Sequence, residues 1–244
     1  MDFNVRVSIN NVNSNTFQHN KLPDLVLDKL MDWIMDGKLH MGEKLNTEEI
    51  ANQLGVSRMP IREALSNLEK KGLAESIPYI GTRLVKLNQD DVKQIYMARK
   101  ALEPIVARDA CKKVTDEDIK LLEEINEEYK KIVRQDVIHG KEVYMINRYF
   151  HFMIYGISKL DRLCAMIELL WDNLSFFKLI YGQKFISDPE SRENMIKEHS
   201  DYLEALRNRD SDLIFKLLTE NLDRRTHDIP YEASSYFDNI EQDK

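Results

Sequence analysis

The sequence predicts a mainly α-helical chain in two parts: three short helices closed by a small β-hairpin, then an all-α bundle of about six helices. Three observations carry this expectation. Only eight glycines and six prolines punctuate 244 residues, so helices run long between few breaks. Apolar residues recur at helical spacing through most of 23–226, with capping residues at the breaks. The exception is 73–87 (LAESIPYIGTRLVKL), where apolar and polar residues alternate around a Pro-Tyr-Ile-Gly turn, the mark of a hairpin.

The elements follow in order. Residues 1–20 are rich in Asn, lack periodicity and read as a mobile arm. Residues 23–36 place Leu25, Leu27, Leu30, Ile34 and Met35 near helical spacing, and Gly37 and Gly42 stop that helix. A short helix at 47–54 has Asn46 or Thr47 as its cap, with Glu49 three residues after Asn46 as a capping box requires. A turn at Gly55-Val56-Ser57 leads into a helix over 58–71, with Pro60 in its first turn and Gly72 at its end. After the hairpin, Asn88-Gln89-Asp90 opens the bundle, whose helices are expected near 90–113, 115–134, 139–158, 160–182, 190–208 and 211–226. Thr115, Ser158 and Asp210 are the caps at three of its breaks, and Asp188-Pro189 marks a loop. The tail 228–244 carries five acidic residues against one lysine and is expected to be disordered. There is no internal repeat.

Composition excludes several classes. Hydrophobic residues make up 43% and charged residues 32%, and mean hydropathy is −0.48. No run of about 18 apolar residues exists, so no membrane span is expected. The first 20 residues lack a basic start followed by an apolar run, so they are not a signal peptide. Cys111 and Cys164 have no metal-type spacing and read as reduced thiols of a cytoplasmic protein. A net charge of −7 argues against a non-specific coat on nucleic acid, but not against a reader with one basic face. No nucleophile, phosphate loop or paired acid and base has supporting spacing, so no enzyme is expected.

The segment 47–66 has the spacing of a helix-turn-helix. Ala51 lets the second helix approach the first, Gly55 supplies the turn, and Val56, Ile61 and Leu65 fix the angle. The helix beginning at Arg58 would enter a DNA major groove N-terminus first. Ser57, Arg58, Met59 and Arg62 lie at that end, and Arg58 and Arg62 share a face at i and i+4. Arginine clasps either guanine or phosphate with two bonds. Ser57 is expected to cap the helix while bonding a phosphate. The hairpin makes a wing, with Gly81 at its tip flanked by Tyr79, Thr82 and Arg83. Residues 22–87 hold nine basic and ten acidic side chains, whereas 56–73 hold four basic and two. The positive face is narrow, so a dimer is expected to be needed for useful affinity.

The run 45–72 (LNTEEIANQLGVSRMPIREALSNLEKKG) resembles the winged helix-turn-helix of the GntR family of bacterial regulators. Gly55 to Leu65 is close to that family's most specific run, and Gly42-Glu43-Lys44-Leu45 and Gly72-Leu73 also match. The resemblance implies that Arg58, Arg62 and the wing around Gly81 contact operator DNA. One departure matters: the family often carries a DNA-contacting arginine at the position of Glu48, and a carboxylate there would repel phosphate.

Residues 90–227 resemble the FCD effector domain of the FadR subfamily. The matching residues are Arg99, Leu102-Glu103, Phe150-His151, Trp171 and Glu198-His199. The resemblance, which covers about residues 22–226, implies a winged domain over 21–87 and a helical effector-binding and dimerisation domain over 88–227, between the arm 1–20 and the tail 228–244 that composition marks. It implies a homodimer on a palindromic operator, most often a repressor, tuned by a small carboxylate-type metabolite. Many members hold a divalent metal (Zn, Ni or Mn) on an Asp and three His, which map here to Asn147, His151, His199 and Asn221. The spacing is kept but two amides replace a carboxylate and an imidazole, and amide oxygens are weak ligands. Two readings stay open: a weak metal site centred on His151 and His199, or a metal-free hydrogen-bonding pocket, which the chemistry favours. Tyr144, Tyr149, Phe150, Trp171, Phe176, Phe177 and Tyr181 are expected to lie near the pocket. Arg99 is its candidate carboxylate partner, or else an i,i+4 partner of Glu103, and Arg148 is a second candidate.

Overall fold

The computed structural model describes residues 21–175 and 186–227. Its elements run α1 (Leu22–Met35), α2 (Thr47–Leu54), α3 (Arg58–Lys70), β1 (Ala74–Ile77), β2 (Gly81–Leu84), α4 (Gln89–Lys113), α5 (Asp116–Val133), α6 (Gly140–Ile157), α7 (Asp161–Asn173), α8 (Pro189–Arg207) and α9 (Ser211–His227). The strands pair antiparallel, Ala74 opposite Leu84 and Ile77 opposite Gly81. The arm 1–20, the tail 228–244 and Phe176, Phe177 and Tyr181 lie outside the described residues. No helix among the described residues is long and apolar enough to cross a membrane.

Local chemistry sets most boundaries. Asn46 accepts from the N–H groups of Glu48 and Glu49 to start α2. Capping boxes start α4 (Asn88 with Asp91) and α5 (Thr115 with Asp118). Asp188 accepts from Ser191 N–H ahead of Pro189 at the head of α8, and Asp210 accepts from Leu213 N–H at the head of α9. Ser158 behaves differently from its expected role as an N-cap. Its hydroxyl donates to Tyr155 O and accepts from Leu160 N–H, so it closes α6 and bridges to α7. Of the helix expected over 160–182, α7 accounts for Asp161–Asn173, and 176–182 lie outside the described residues. Leu174, which follows α7, keeps helical backbone, and its side chain is wholly buried in the core of the winged half.

Two apolar cores result. One, built on Leu30, Ile34, Ile61, Leu65, Leu68 and Leu84, fills the winged part and draws in Tyr96, Leu174 and Leu222 from the helices. The other, built on Val106, Leu122, Tyr129, Phe150, Trp171 and Leu206, fills the bundle. The two halves are also pinned by charge. Lys71, the residue that ends α3, reaches Asp172 of α7 at 2.7 Å. Lys141 of α6 reaches Asp32 at 3.1 Å and Asp36 at 2.9 Å on α1. Gly72 has a φ of +70° and lies so close to α7 that an added Cβ would sit 2.9 Å from Asn173 Oδ1. Glycine is needed there for the left-handed turn, and a Cβ would in addition displace the Asn173 amide.

The bundle is tied at its centre by one carboxylate. Glu103 of α4 is fully buried and accepts from Arg99 Nε at 2.5 Å and Nη2 at 3.2 Å on its own helix. It also accepts from Tyr155 OH of α6 at 2.7 Å and from Trp171 Nε1 of α7 at 2.8 Å. The Arg99 guanidinium lies over the Trp171 ring at 4.3 Å. A buried charge pair is costly to form but far costlier to break from one side. Glu103→Ala would leave the Arg99 charge, a phenol and an indole N–H without their acceptor. It should destabilise the chain by about 3–5 kcal/mol in urea denaturation. A loss under about 1 kcal/mol would mean that this cluster is solvated, as exposed pairs are.

Candidate nucleic-acid interface and buried polar centre

Helices α2 and α3 meet at a turn made by Gly55, whose φ is +65°. Val56 N–H closes back on Ala51 O at 3.1 Å. Ile50, Ala51, Ile61 and Leu65 are buried and fix the angle between the helices. The opposite side of α3 is bare: Arg58 and Arg62 are exposed one turn apart, and Met59 is 71% exposed. Ser57 sits at the N-cap position with extended backbone, but its hydroxyl makes no capping bond. This corrects the expectation that it caps the helix.

The wing is fastened to α3. Thr82 Oγ1 donates to Glu69 at 3.0 Å, and Leu45 N–H donates to Thr82 O at 2.8 Å. Arg83 bonds Glu75 across the strands at 2.8 Å. Tyr79, in the turn, is fully exposed with φ +66°, a conformation that an aromatic residue adopts only where its surroundings impose it. Arg58, Arg62, Gly81 and Thr82 line one groove together with Lys44 and Glu48. Ser57, Met59, Tyr79 and Arg83 are exposed but do not line that groove. Glu48 binds Arg58 Nη2 at 2.5 Å.

The second site lies inside the bundle. His199 of α8 is buried, stacked on Phe150 at 4.0 Å with Tyr129 at 4.3 Å. Its Nε2 is 3.0 Å from Asn147 Oδ1. His151 stands edge-on to His199 at 5.4 Å, lies 5.4 Å from the Trp171 ring, and has Nδ1 3.4 Å from Tyr155 OH. Burial holds the His199 pKa well below its ordinary value, with His151 and Arg225 adding to the effect, so the ring is neutral. With Asn147 presenting its oxygen, the ring proton sits on Nε2 and Nδ1 is a bare acceptor. Among the described residues that Nδ1 has no partner, and neither do the buried Arg99 Nη1, Tyr129 OH and Tyr202 OH.

Arg99, Asn147, His151, Trp171 and His199 are thus gathered in one region. Arg148 is not part of it: its guanidinium bonds Asp172 at 2.9 Å and Glu168 at 3.4 Å and lies over Phe152. Asn221 is half-buried on α9, and no hydrogen bond joins it to the other three positions. The donor set does not fit a divalent cation. His199 Nε2 is spent on Asn147, no carboxylate stands in the set, and no group of three His, Cys, Asp or Glu forms among the described residues. Tyr129, Tyr155 and Tyr202 escaped the sequence reading. Tyr155 follows His151 by four residues and Tyr202 follows His199 by three, so helical spacing was the available signal.

The comparisons agree with this geometry. Residues 23–84 match the bacterial regulatory proteins of the gntR family, and residues 94–224 match the FCD domain. The HTH-type transcriptional regulator YdhC of Bacillus subtilis is 27% identical over 185 residues, 76% of this chain and 80% of that protein. The HTH-type transcriptional regulator McbR of Escherichia coli is 29% identical over 195 residues, 80% of this chain and 86% of that one. The solved structure of E. coli McbR/YncC superposes with a TM-score of 0.73 at 27% identity, covering 84% of this chain and 94% of that one. The gluconate operon transcriptional repressor of Bacillus licheniformis is 27% identical over 195 residues, 78% of this chain and 77% of that protein. The chain therefore belongs to the GntR family of bacterial transcription regulators, in the branch that carries a C-terminal FCD domain, and is not an enzyme.

Proposed function

We propose that this regulator acts in the cytoplasm as a homodimeric repressor of a palindromic operator, relieved or reinforced by a small ligand in its helical half. The winged domain ends near residue 87 and the sensing domain begins near 88. The observation that carries the DNA-reading part is the bare leading end of α3, with Arg58 and Arg62 exposed in a groove closed by the wing. The repressor assignment is supported by relatives named as repressors. Dimerisation is supported by Met97 and Ile105, exposed on one face of α4 two turns apart with Ala101 between them.

The ligand reading rests on unsatisfied buried atoms. Arg99 Nη1, Tyr129 OH and Tyr202 OH are donors and His199 Nδ1 is an acceptor, all without partners. Together they suit a small hydroxylated carboxylate, its oxygens taking the donors and its hydroxyl the imidazole. The end of α7 would carry the signal. Trp171 touches the centre, Asp172 holds Lys71 at the end of the recognition helix, and Asn173 abuts Gly72. A ligand that moves Trp171 would move the anchor of α3, and a difference in ligand affinity between two positions of that anchor is a difference in operator affinity.

Three outcomes are expected. In gel shifts with the upstream DNA of its own gene, Arg58→Ala and Arg62→Ala each lose specific binding. Ile105→Asp weakens it by breaking the dimer. Specific binding that survives all three would remove the reading. In thermal denaturation, a small hydroxy acid at about 100 times its Kd raises stability by about 2.7 kcal/mol, and Tyr202→Phe reduces the shift. A hydroxy-acid library without a hit would rule out this ligand class. Lys71→Met and Asp172→Asn each change operator affinity severalfold although neither residue faces DNA, and the double variant adds nothing further. Additive or absent effects would take this ion pair out of the coupling.

A further inference from the structure

Glu48 is out of place on a surface meant for a polyanion. It stands in the first turn of α2, where its backbone N–H is fixed by Asn46 at 2.9 Å. Its carboxylate crosses to Arg58, the first residue of α3, and takes Nη2 at 2.5 Å. The two side chains are 62% and 59% exposed, so the pair is not a packing device, and exposed pairs add little to stability. The other acid in the groove, Glu69, is occupied by Thr82 of the wing. Glu48 keeps its second oxygen, and Arg58 its Nε and Nη1, outside the bond that joins them.

A carboxylate in this position has few partners on DNA. Phosphate oxygens repel it. On the major-groove edges, guanine offers O6 and N7 and thymine offers O4, all acceptors. Only the amino groups of cytosine and adenine donate, and adenine sets an acceptor, N7, beside its own. Cytosine N4 is therefore the base atom that suits Glu48 best. The arginine beside it suits guanine O6 and N7. A joined Glu–Arg pair complements a guanine and a cytosine placed together, whether paired or adjacent on the duplex.

We propose that Glu48 reads bases: with Arg58 it forms one unit that selects a guanine and a cytosine in each half-site, Glu48 choosing the cytosine. The pairing also restrains the Arg58 guanidinium from wandering to phosphate, so a residue that would otherwise add general affinity is committed to sequence. This inference rests on the reading of α3 as the base-contacting helix.

In vitro selection from a randomised duplex library tests it, using the full chain at about 150 mM salt. Wild type, Glu48→Ala, Glu48→Gln and Arg62→Ala are compared, each first checked for an unchanged melting curve. The wild type should enrich a palindrome with a fixed cytosine in each half-site. Glu48→Ala should keep the other positions and lose a preference of about tenfold or more at that one, while its affinity for unrelated DNA rises. Glu48→Gln should move the same position toward adenine, whose N6 and N7 an amide can clasp. If both Glu48 variants retain the wild-type motif at every position and simply bind all DNA more tightly, Glu48 is only a negative charge and the inference falls. If the wild type enriches no motif, or Arg62→Ala leaves the motif intact, the reading of α3 falls with it.

Discussion

The buried carboxylate of Glu103 is the constraint on which the helical half depends. An ionised oxygen pair in an apolar interior is tolerable only when every lone pair faces a donor. Here the donors come from three helices, so satisfying one side chain fixes the positions of α4, α6 and α7 at once. Apolar packing alone tolerates sliding, because methyl groups have no preferred partner. A carboxylate with four defined donors does not. The same bonds place the Trp171 indole beside His151 and the Arg99 guanidinium against that indole.

Arg99 illustrates how such a centre divides its charge. Two of its nitrogens are spent on Glu103 and a third, Nη1, is buried without a partner. The pair is neutral as a unit, His199 is neutral through burial, and among the described residues no group of three His, Cys, Asp or Glu completes the centre. A ligand entering here meets hydrogen-bonding directions rather than a net field. Discrimination then rests on matching donors and acceptors, which rejects near-isosteres strongly because a mismatch leaves buried groups unpaired.

What the sequence disclosed follows the range of the interactions. The recognition helix, its Gly55 turn, the wing and the caps at Asn46, Asn88 and Thr115 are set by neighbours within a few residues, and all were legible. The roles of Ser57 and Ser158 depend on where a hydroxyl rotates, and composition at a boundary does not decide that. The burial of Leu174 in a core formed mainly by residues 26–96 was hidden, because it is a tertiary demand with no local mark. Arg99 and Glu103 were visible as an i,i+4 pair, but Tyr155 and Trp171 as further donors were not, since they lie 52 and 68 residues from Glu103. Arg148 looked like a ligand partner for the same reason: nothing nearby in sequence announces Asp172.

The narrowness of the basic face makes the junction between the halves important. With nine basic and ten acidic side chains over residues 22–87, the winged part gains little from bulk charge, and part of what it has is held by Glu48. In the proposed dimer, affinity would come from two recognition helices meeting two half-sites in register, about 34 Å apart along the duplex. Register is a matter of angle, and the angle of each winged part is fixed by the Lys71–Asp172 bond, the Gly72–Asn173 contact and Leu174. All three belong to four consecutive residues that begin with Trp171, so a displacement of that indole would act on these three together, while Lys141 holds the end of α1 separately through Asp32 and Asp36. A strongly basic domain would hold DNA through such a displacement on phosphate contacts alone. One that depends on geometry would release it, and the proposed sensing role of the buried centre would use that sensitivity.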